Sequence, residues 1–371
     1  MSKTIIHITT SLHNGGAEAA LFRLVCNDES DDKHIVISMR EAGLYSSKLS
    51  DKGVTVHHLD MGSGKITLKG LFQLARLLRQ YRPTVIQTWM YHASLVGGMV
   101  ARLCGERNIY WGIHHATFDP ERNKKSTLWV IRLCRFVSNI IPYRIIYCSQ
   151  KSSQLHEEAG FCHTKTLVIP NGYELDKFKP LTESERYSPA KNTTTLGMVA
   201  RFDPLKDHEN LLKALAHLRK RKIDFVCQLI GQGMDKDNKS MLSLINNYGL
   251  AGNIEMLGEQ EDIPYIMNQL DIHILSSSAE AFPNVIAEAM ACGTPCVATD
   301  VGDTATIIGG HGWVIPAKDY ESLAAAVQQA IEMKCQAPQQ WSERQNQCRA
   351  HIVKNFTIER MINNYKAAWC N

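Results

Sequence analysis

The sequence has no long apolar run of the kind that a membrane-spanning helix requires, about 20 residues without charge. Its most apolar segment, residues 131–147, is interrupted by Arg132, Arg135 and Arg144. The first residues also lack the basic region and the extended apolar stretch of a secretory signal peptide, so we expect them to form a strand. A cytoplasmic protein without a spanning helix is therefore expected.

Signatures of bound cofactors are also lacking. The 11 cysteines show none of the paired spacing of a zinc site, so reduced thiols are expected. No Gly-x-Gly-x-x-Gly fingerprint follows the first predicted strand, which argues against a nicotinamide-dependent dehydrogenase. No pair of carboxylates follows a strand in the manner of a metal–diphosphate site. We therefore expect neither a bound metal nor a cofactor.

Acidic residues are scarce in one part of the chain. The net charge is +4, but residues 1–170 hold 21 basic and 13 acidic side chains, whereas residues 171–371 hold 20 and 24. Residues 65–151 contain 14 basic and three acidic residues, interleaved with aromatic and apolar side chains. Such a segment suits an anionic membrane surface, although a solvated basic face is also consistent with it. A nucleic-acid partner is not expected, because no motif for one is present.

Short β-branched runs alternate with amphipathic stretches along the chain, which is typical of parallel sheets flanked by helices. The pattern predicts an α/β fold with two doubly wound sheets. The predicted parts are a domain of residues 1–170, a polar linker of residues 171–194, a domain of residues 195–355, and a helix of residues 356–371 that can return to the first domain. The predicted strands cover residues 4–9, 34–39, 55–58, 85–88, 108–113, 144–148 and 166–169, then 195–200, 225–230, 254–257, 272–276, 295–299 and 312–314.

Two glycines open the first predicted helix. Gly15 and Gly16 follow the first strand in the motif NGGAE. Glycine lets the backbone approach a ligand closely, and the exposed amides of a helix N-terminus favour an anion such as a pyrophosphate. A phosphate-binding turn is one interpretation, and a tight turn without a ligand is the other.

Two cations follow the first strand of the second half. Arg201 and Lys206 lie in the sequence ARFDPLKDH, directly before a predicted helix over residues 209–219. Open α/β sheets bind ligands at the carboxyl ends of their strands, where these cations could neutralise a diphosphate leaving group. Exposed basic residues in a loop without a ligand would give the same pattern.

The most specific motif is EAFPNVIAEAMACG, which begins at Glu280. Pro283 suits the first turn of a helix and Gly293 suits the position after its end, which predicts a short helix between them. Glu288 lies one turn after Asn284 on the same face. Both glutamates can therefore reach one ligand at the helix N-terminus, whose amides favour phosphate. The alternative is that they only stabilise the helix.

A pair of histidines, His114 and His115, follows the strand predicted over residues 108–113. A histidine at the carboxyl end of a strand is positioned for a ligand site, although a single histidine more often forms a structural hydrogen bond. We interpret His115 as functional and His114 as structural.

Together these motifs resemble those of the retaining glycosyltransferases of family 4, or group 1, which have the GT-B fold. The resemblance covers nearly the whole chain and implies two facing Rossmann-like domains with a cleft between them. Ala116 departs from the family, which often has an acidic residue there. The matching segments are NGGAE, the histidine of IHHA, VIPNGYELDKF, ARFDPLKD, LIGQG, and EAFPNVIAE with its continuation AMACGTPCVATDVG.

The resemblance implies roles for individual residues. Arg201 and Lys206 would hold the donor diphosphate, and Glu288 would bind the ribose hydroxyls. His115 would contact the transferred sugar, and Glu280 would bind sugar and phosphate together with the amides of residues 282–284. The implied catalytic residues are His115 and Glu280, and the implied donor-binding residues are Gly15, Gly16, Arg201, Lys206, Gly231, Phe282, Pro283, Asn284 and Glu288.

The activity that the resemblance implies is that of a hexosyltransferase-type enzyme, retaining and metal-independent. Its partners would be a nucleotide-sugar co-substrate, by family habit a UDP-sugar, and a saccharide acceptor. That acceptor would be lipid-linked, in surface polysaccharide assembly at the inner face of the cytoplasmic membrane. Two alternatives stay open. One is a sugar-nucleotide epimerase of the same fold, and the other is a sugar-nucleotide-binding module without turnover.

Overall fold

The computed structural model describes residues 2–62, 65–120, 124–182 and 193–370. The chain divides into two compact units. Unit 1 comprises Met1–Gly172 with Ile358–Asn371, and unit 2 comprises Tyr173–Thr357. Each unit is a parallel sheet with helices, so the predicted α/β class is confirmed.

The described strands of unit 1 form one seven-stranded sheet in the order β3-β2-β1-β4-β5-β6-β7. Its strands are apolar on both faces, as expected for a parallel sheet covered on both sides. Ile6 and Ile8 belong to one buried cluster, whereas Ile5 belongs to another. The strands are β1 (Thr4–Thr9), β2 (Lys33–Ser38), β3 (Thr55–His58), β4 (Val85–Trp89), β5 (Ile109–Ile113), β6 (Arg144–Tyr147) and β7 (Thr166–Val168).

Helices connect these strands within the described part of unit 1. A π-helical segment, Ala93–Gly97, joins two of them into one continuous helical stretch. The helices are α1 (Gly16–Cys26), α2 (Leu44–Asp51), α3 (Leu68–Tyr81), α4 (Met90–His92), α5 (Gly98–Leu103), α6 (Lys125–Val137) and α7 (Gln150–Glu158).

The described strands of unit 2 form a six-stranded parallel sheet in the order β10-β9-β8-β11-β12-β13. The strands are β8 (Thr194–Val199), β9 (Phe225–Ile230), β10 (Ile254–Gly258), β11 (Ile272–Leu275), β12 (Cys296–Thr299) and β13 (Trp313–Ile315). The helices are α8 (His208–Lys220), α9 (Lys239–Asn247), α10 (Ile263–Gln269), α11 (Asn284–Ala291), α12 (Thr304–Ile308), α13 (Tyr320–Gln336) and α14 (Pro338–Asn355).

Every predicted strand is confirmed, with each end within one residue of its predicted position. The helix predicted between Pro283 and Gly293 is α11, and the one predicted after the ARFDPLKDH motif is α8. Among the helices of the described residues, none combines the length and the apolar character that crossing a membrane demands.

The structure differs from the predicted linker at its first residues. Tyr173 and Phe178 are buried in unit 2, and the amide of Tyr173 donates to the carbonyl of Phe356 at 3.0 Å. Arg349 also donates to the carbonyl of Phe178. The segment is mostly polar, so its sequence gives no sign that these two apolar residues are buried. Residues 183–192 of the predicted linker lie outside the described residues, and its last residue, Thr194, begins β8.

The last helix, α15 (Ile358–Cys370), belongs to unit 1. Trp369 is buried there, and its Nε1 donates to Oε1 of Gln87 on β4 at 3.2 Å. Lys366 Nζ lies 2.5 Å from Oδ1 of Asp28, a carboxylate with almost no exposed surface. Helix α15 therefore packs into the same buried cluster as residues of β1.

Candidate functional site

The strand orders create a topological switch point in each sheet. In unit 1 the chain runs outward from β1 through β2 to β3, and then from β4 outward on the other side to β7. In unit 2 the same change of direction occurs between β8 and β11. Open α/β sheets bind ligands beyond the carboxyl ends of the strands at such points. The predicted site residues Arg201 and Lys206 follow β8, and Glu280 follows β11.

An ion pair joins the two loops at the switch point of unit 2. Nζ of Lys206 lies 2.5 Å from Oε1 of Glu280, and the hydroxyl of Ser277 donates to the same oxygen at 2.7 Å. The Lys206 and Glu280 side chains are only 21% and 15% exposed. The structure thus brings together a predicted diphosphate-binding cation and a predicted catalytic carboxylate from positions 74 residues apart.

Further hydrogen bonds hold these loops together. The hydroxyl of Ser276 donates to the carbonyls of Lys206 and Asp207 at 2.9 and 3.0 Å, and the amide of Ser278 donates to the carbonyl of Leu205 at 2.8 Å. Sequence reasoning missed these serines. The signal that could have found them is a run of three hydroxyl residues directly after a buried strand.

Arg201 is held by a carboxylate of its own loop. Its Nε and a terminal nitrogen donate to Oδ2 of Asp203 at 3.1 and 3.0 Å, while half of the Arg201 side chain is exposed. Burial by itself raises the pKa of Asp203, but the bonds from the Leu205 amide and from Arg201 lower that pKa overall. Arg201 therefore presents its guanidinium beside the loop that carries Lys206.

The N-terminus of α11 carries the other predicted donor-binding residues of unit 2. Oδ1 of Asn284 accepts a hydrogen bond from the Tyr173 hydroxyl at 2.7 Å, Phe282 is buried, and Glu288 is half-buried one turn further along. The expectation that residues 282–284 all offer amide donors is wrong at Pro283, because proline has no N–H. Asn284 begins the first turn of α11, and the backbone amides of a helix N-terminus favour an anion.

Gly231 lies at a close approach between two backbones. Its φ is +135°, and a Cβ there would lie 2.5 Å from the carbonyl oxygen of Ala200. The amide of Phe202 donates to the carbonyl of Gln232 at 2.8 Å in the same place. Gly231 therefore allows the turn after β9 to reach the residue that precedes Arg201.

Gly15 and Gly16 lie in unit 1, at the start of α1. A Cβ on Gly15 would collide with the carboxylate of Glu18, which accepts a hydrogen bond from the Ser11 hydroxyl at 3.0 Å. Glycine at position 15 thus leaves room for a carboxylate of the first helical turn. The predicted contact of either glycine with a phosphate stays a prediction.

His115, also in unit 1, contacts Tyr91. The Tyr91 hydroxyl lies 2.6 Å from Nε2 of His156 and 3.3 Å from Nδ1 of His115. Nδ1 of His156 lies 2.7 Å from the carbonyl oxygen of Ser152, which can only accept, so that nitrogen carries the proton. Nε2 of His156 must then accept from Tyr91, and the Tyr91 oxygen accepts from Nδ1–H of His115. Nε2 of His115 is left with a lone pair.

Burial favours the neutral form of His115, since it lowers the pKa of this imidazole below its ordinary value of 6.5. The Ser152 hydroxyl donates to the His115 carbonyl at 2.6 Å, which fixes the backbone. A neutral imidazole with a free Nε2 can accept a hydrogen bond from a sugar hydroxyl. Sequence reasoning missed Tyr91, whose only signal is an aromatic residue just past the end of β4.

His114 faces a different environment. Its ring stacks on that of Trp89 with centroids 5.2 Å apart, and its Nε2 is buried without a hydrogen-bond partner. Burial, with a contribution from the charge of Arg23, lowers the pKa of His114 to about 4. Packing of this kind agrees with a structural role. Over the described ranges of the chain, no group of three or more potential metal ligands converges.

Comparison with known proteins places these features in a family. The sequence pattern of the family "Glycosyltransferase Family 4" matches residues 4–177, and that of "Glycosyl transferases group 1" matches residues 182–347. The two matches follow one another along the chain and correspond to its two sheets.

Curated relatives are similar over most of their length. One is the Escherichia coli UDP-Gal:alpha-D-GlcNAc-diphosphoundecaprenol alpha-1,3-galactosyltransferase, 24% identical over 93% of this chain and 90% of that protein. Another, from Campylobacter jejuni, is an N,N'-diacetylbacillosaminyl-diphospho-undecaprenol alpha-1,3-N-acetylgalactosaminyltransferase, 24% identical over 78% of this chain and 79% of that protein.

Among solved structures, Anabaena HepE in complex with UDP and glucose superposes with a TM-score of 0.85. The superposition covers 100% of both chains at 21% sequence identity. The predicted fold class is thereby confirmed.

Proposed function

Because this chain belongs to the glycosyltransferases of group 1 and family 4, we propose that it transfers a sugar from a UDP-sugar to a lipid-linked saccharide. We further propose that the transfer retains the anomeric configuration and requires no metal ion. The name of the E. coli relative specifies UDP-Gal as donor, and both relatives act on saccharides linked to diphosphoundecaprenol. The setting proposed is surface polysaccharide assembly, with the enzyme peripheral on the inner face of the cytoplasmic membrane.

The observation that carries the proposal is the Lys206–Glu280 pair at the switch point of unit 2. Transfer makes the diphosphate a leaving group, whose negative charge grows as the glycosidic bond breaks. Lys206 and Arg201 would stabilise that charge. The amide of Asn284 would add a donor at the start of α11, and Glu288 would bind the ribose hydroxyls.

The state of the Glu280 carboxylate argues against retention through a covalent intermediate on this residue. One of its oxygens already accepts from both Lys206 and Ser277, which makes it a poor free nucleophile. In the proposed mechanism the acceptor hydroxyl attacks on the face that the diphosphate leaves, and a phosphate oxygen of the donor takes its proton. Nε2 of His115 would accept a hydrogen bond from a hydroxyl of the transferred sugar. Catalysis would then depend on positioning and charge stabilisation.

The test begins with a thermal-shift panel of nucleotides and their sugars, since a ligand that binds the native state raises its melting temperature. The sugar nucleotide that raises the melting temperature is then supplied to the enzyme together with a diphosphoundecaprenol-linked acceptor. Lys206→Ala or Arg201→Ala should lower kcat/KM at least about 100-fold, equivalent to roughly 3 kcal/mol of transition-state stabilisation. The matched control is Lys220→Ala, an exposed lysine at the end of α8 that should leave kcat/KM unchanged.

The same assay tests the finer parts of the proposal. EDTA should leave the rate intact, and NMR of the product should show the anomeric configuration of the donor. Wild-type kinetics in both site variants would refute the assignment of the cations. An inverted product, or activity lost in EDTA and restored by Mg²⁺, would refute the proposed mechanism.

A further inference from the structure

Helix α6 is apolar on two opposite sides. Its inner side packs into the core of unit 1, where Cys134 is fully buried. On its outer side Trp129, Leu133 and Phe136 are 63%, 49% and 69% exposed, and Ile140 just after the helix is 69% exposed. Spacings of four, three and four residues place such side chains in one stripe along a helix. We call these four residues the outer stripe.

An exposed apolar stripe of this length indicates an interaction surface, because isolated proteins rarely leave such patches uncovered. Neighbouring helices extend it. Arg102 of α5 donates to the carbonyl of Ile140 at 3.0 Å, and the next residue of that helix, Leu103, is strongly exposed. Helix α3, which contacts α5, exposes Leu68 and Phe72 one turn apart.

The chain segments that carry the outer stripe and the exposed side chains of α3 hold charges of one sign. Residues 65–82 and 124–144 together contain ten Lys and Arg residues and no Asp or Glu. The guanidinium of Arg132 lies 5.4 Å from the centre of the Trp129 ring, and that of Arg135 lies 5.1 Å from the centre of the Phe136 ring. Rings with cations over them suit a membrane interface, where the ring enters the acyl boundary and the cation meets the head groups.

We propose that the outer stripe of α6 inserts into the interface of an anionic bilayer, with the exposed side chains of α3 and α5 as adjacent contacts. A second copy of the chain is a poorer occupant, since pairing two such surfaces would bring like charges together without an acidic residue from either segment. Nucleic acid is a poorer occupant too, because its phosphates would contact the cations and leave the apolar side chains of the outer stripe exposed to water.

The inner side of α6 connects this surface to the candidate site. The thiol of Cys134 lies 3.5 Å from the carbonyl oxygen of Tyr91, and the hydroxyl of Tyr91 contacts His115. An inserted α6 would therefore place the His115 loop next to the membrane in which a lipid-linked acceptor resides. The link to a lipid-linked acceptor rests on the proposed function, but membrane binding can be measured without any sugar transfer.

The test uses the whole protein and vesicles containing anionic phosphatidylglycerol, with brominated acyl chains as quenchers of tryptophan fluorescence. Trp129 is a direct reporter, because Trp89, Trp111, Trp341 and Trp369 are buried and Trp313 is half-buried in unit 2. We expect quenching by brominated anionic vesicles, loss of that quenching in Trp129→Phe, and weaker binding as salt rises or as zwitterionic lipid replaces the anionic lipid.

Substitutions separate the apolar and the charged contributions. Trp129→Ser with Phe136→Ser should lower vesicle partitioning at least tenfold, and Arg132→Gln with Arg135→Gln should abolish most of the preference for anionic lipid. The matched control is Leu242→Ser with Tyr265→Ser, two exposed apolar residues of unit 2. All of these side chains are exposed, so the melting temperatures should stay close to wild type, which shows that the variants fold.

Each outcome bears on one proposal. Absent quenching, or equal partitioning of the stripe variant and the control, would overturn the docking surface even if sugar transfer is observed. Dimers that dissociate in the stripe variant and do not bind vesicles would assign the stripe to a second copy and also overturn it. Vesicle binding without transfer of any sugar would instead leave the docking surface standing and count against the proposed function.

Discussion

At the scale of single residues, the Tyr91 hydroxyl determines which nitrogen of His115 can serve a ligand. The hydroxyl lies between His115 and His156. Because the carbonyl of Ser152 can only accept, it sets the direction of each hydrogen bond from His156 through Tyr91 to His115. Removing this hydroxyl leaves Nδ1 of His115 without its acceptor and Nε2 of His156 without its donor. A buried polar group left without a partner costs about 1–3 kcal/mol, so the imidazoles should rearrange.

We therefore predict that Tyr91→Phe lowers kcat/KM about tenfold or more, equivalent to one lost hydrogen bond of about 1.4 kcal/mol. Nitrogen NMR of the histidines should show the Nδ1–H tautomer of His115 in the wild type and a mixture in the variant. Tyr147→Phe is the matched control, because its buried hydroxyl has no partner yet its ring also contacts His156. An unchanged His115 tautomer in Tyr91→Phe would contradict the deduced bond directions.

The same histidine sets an expectation for pH. Its pKa is lowered from 6.5, so protonation, which would occupy Nε2, occurs only at more acidic pH. Wild-type activity should therefore persist as the pH falls through 6.5 and decline below it. Together with the NMR measurement, an acid limb at or above 6.5 would show that His115 is not the group described.

At the scale of secondary-structure elements, the site of unit 2 depends on how closely the ends of neighbouring strands approach. Gly231 lies in the turn after β9 with a positive φ, and it faces the carbonyl oxygen of Ala200 at the end of β8. Any side chain there meets backbone, which cannot move aside as a flexible side chain could.

Gly231→Ala should therefore lower the free energy of unfolding by about 2 kcal/mol or more, from strain in φ and displacement of the β8 end. Denaturant unfolding measures this loss. Gly252→Ala is the control, because Gly252 has no positive φ and a Cβ added there would meet no atom within 4 Å. Equal stability of the two variants would show that the close approach is not maintained in solution.

At the scale of the whole molecule, each unit has buried clusters of its own, and α15 lies in a cluster of unit 1 although it follows unit 2 in the sequence. Trp369 of α15 packs among β1, β2 and β4 side chains, whereas Trp341 of α14 belongs to the core of unit 2. Each unit has its own sheet, so each should unfold with some independence of the other.

We predict that Trp369→Ala, at a cost of about 3–5 kcal/mol, accelerates amide hydrogen exchange in residues 4–168 and not in β8–β13. Trp341→Ala should do the reverse, which makes each variant the control of the other. Equal acceleration of both units by either variant would mean that the two cores unfold as one.

Much of this fold is predictable from local sequence. Strands such as β1 and β9 are apolar, β-branched runs bounded by polar turns, and such runs encode extended structure without reference to distant residues. The candidate residues that follow β5, β8 and β11 were found for the same reason, because parallel strands present their carboxyl ends at one edge of a sheet. The anchoring of Tyr173 and Phe178 in unit 2 was not found, since two apolar residues in a polar segment give no periodic signal.

By itself, the sequence determined where strands and helices form, that the sheets are parallel, and which loops carry cations, carboxylates and glycines. The tertiary structure alone decided that Lys206 meets Glu280, that Tyr91 and His156 orient His115, that α15 completes unit 1, and that α6 keeps a second apolar side in solvent. The physical reason is range. Periodicity and turn chemistry act over a few residues, whereas strand order, ion pairing and exposure depend on residues that only packing brings together.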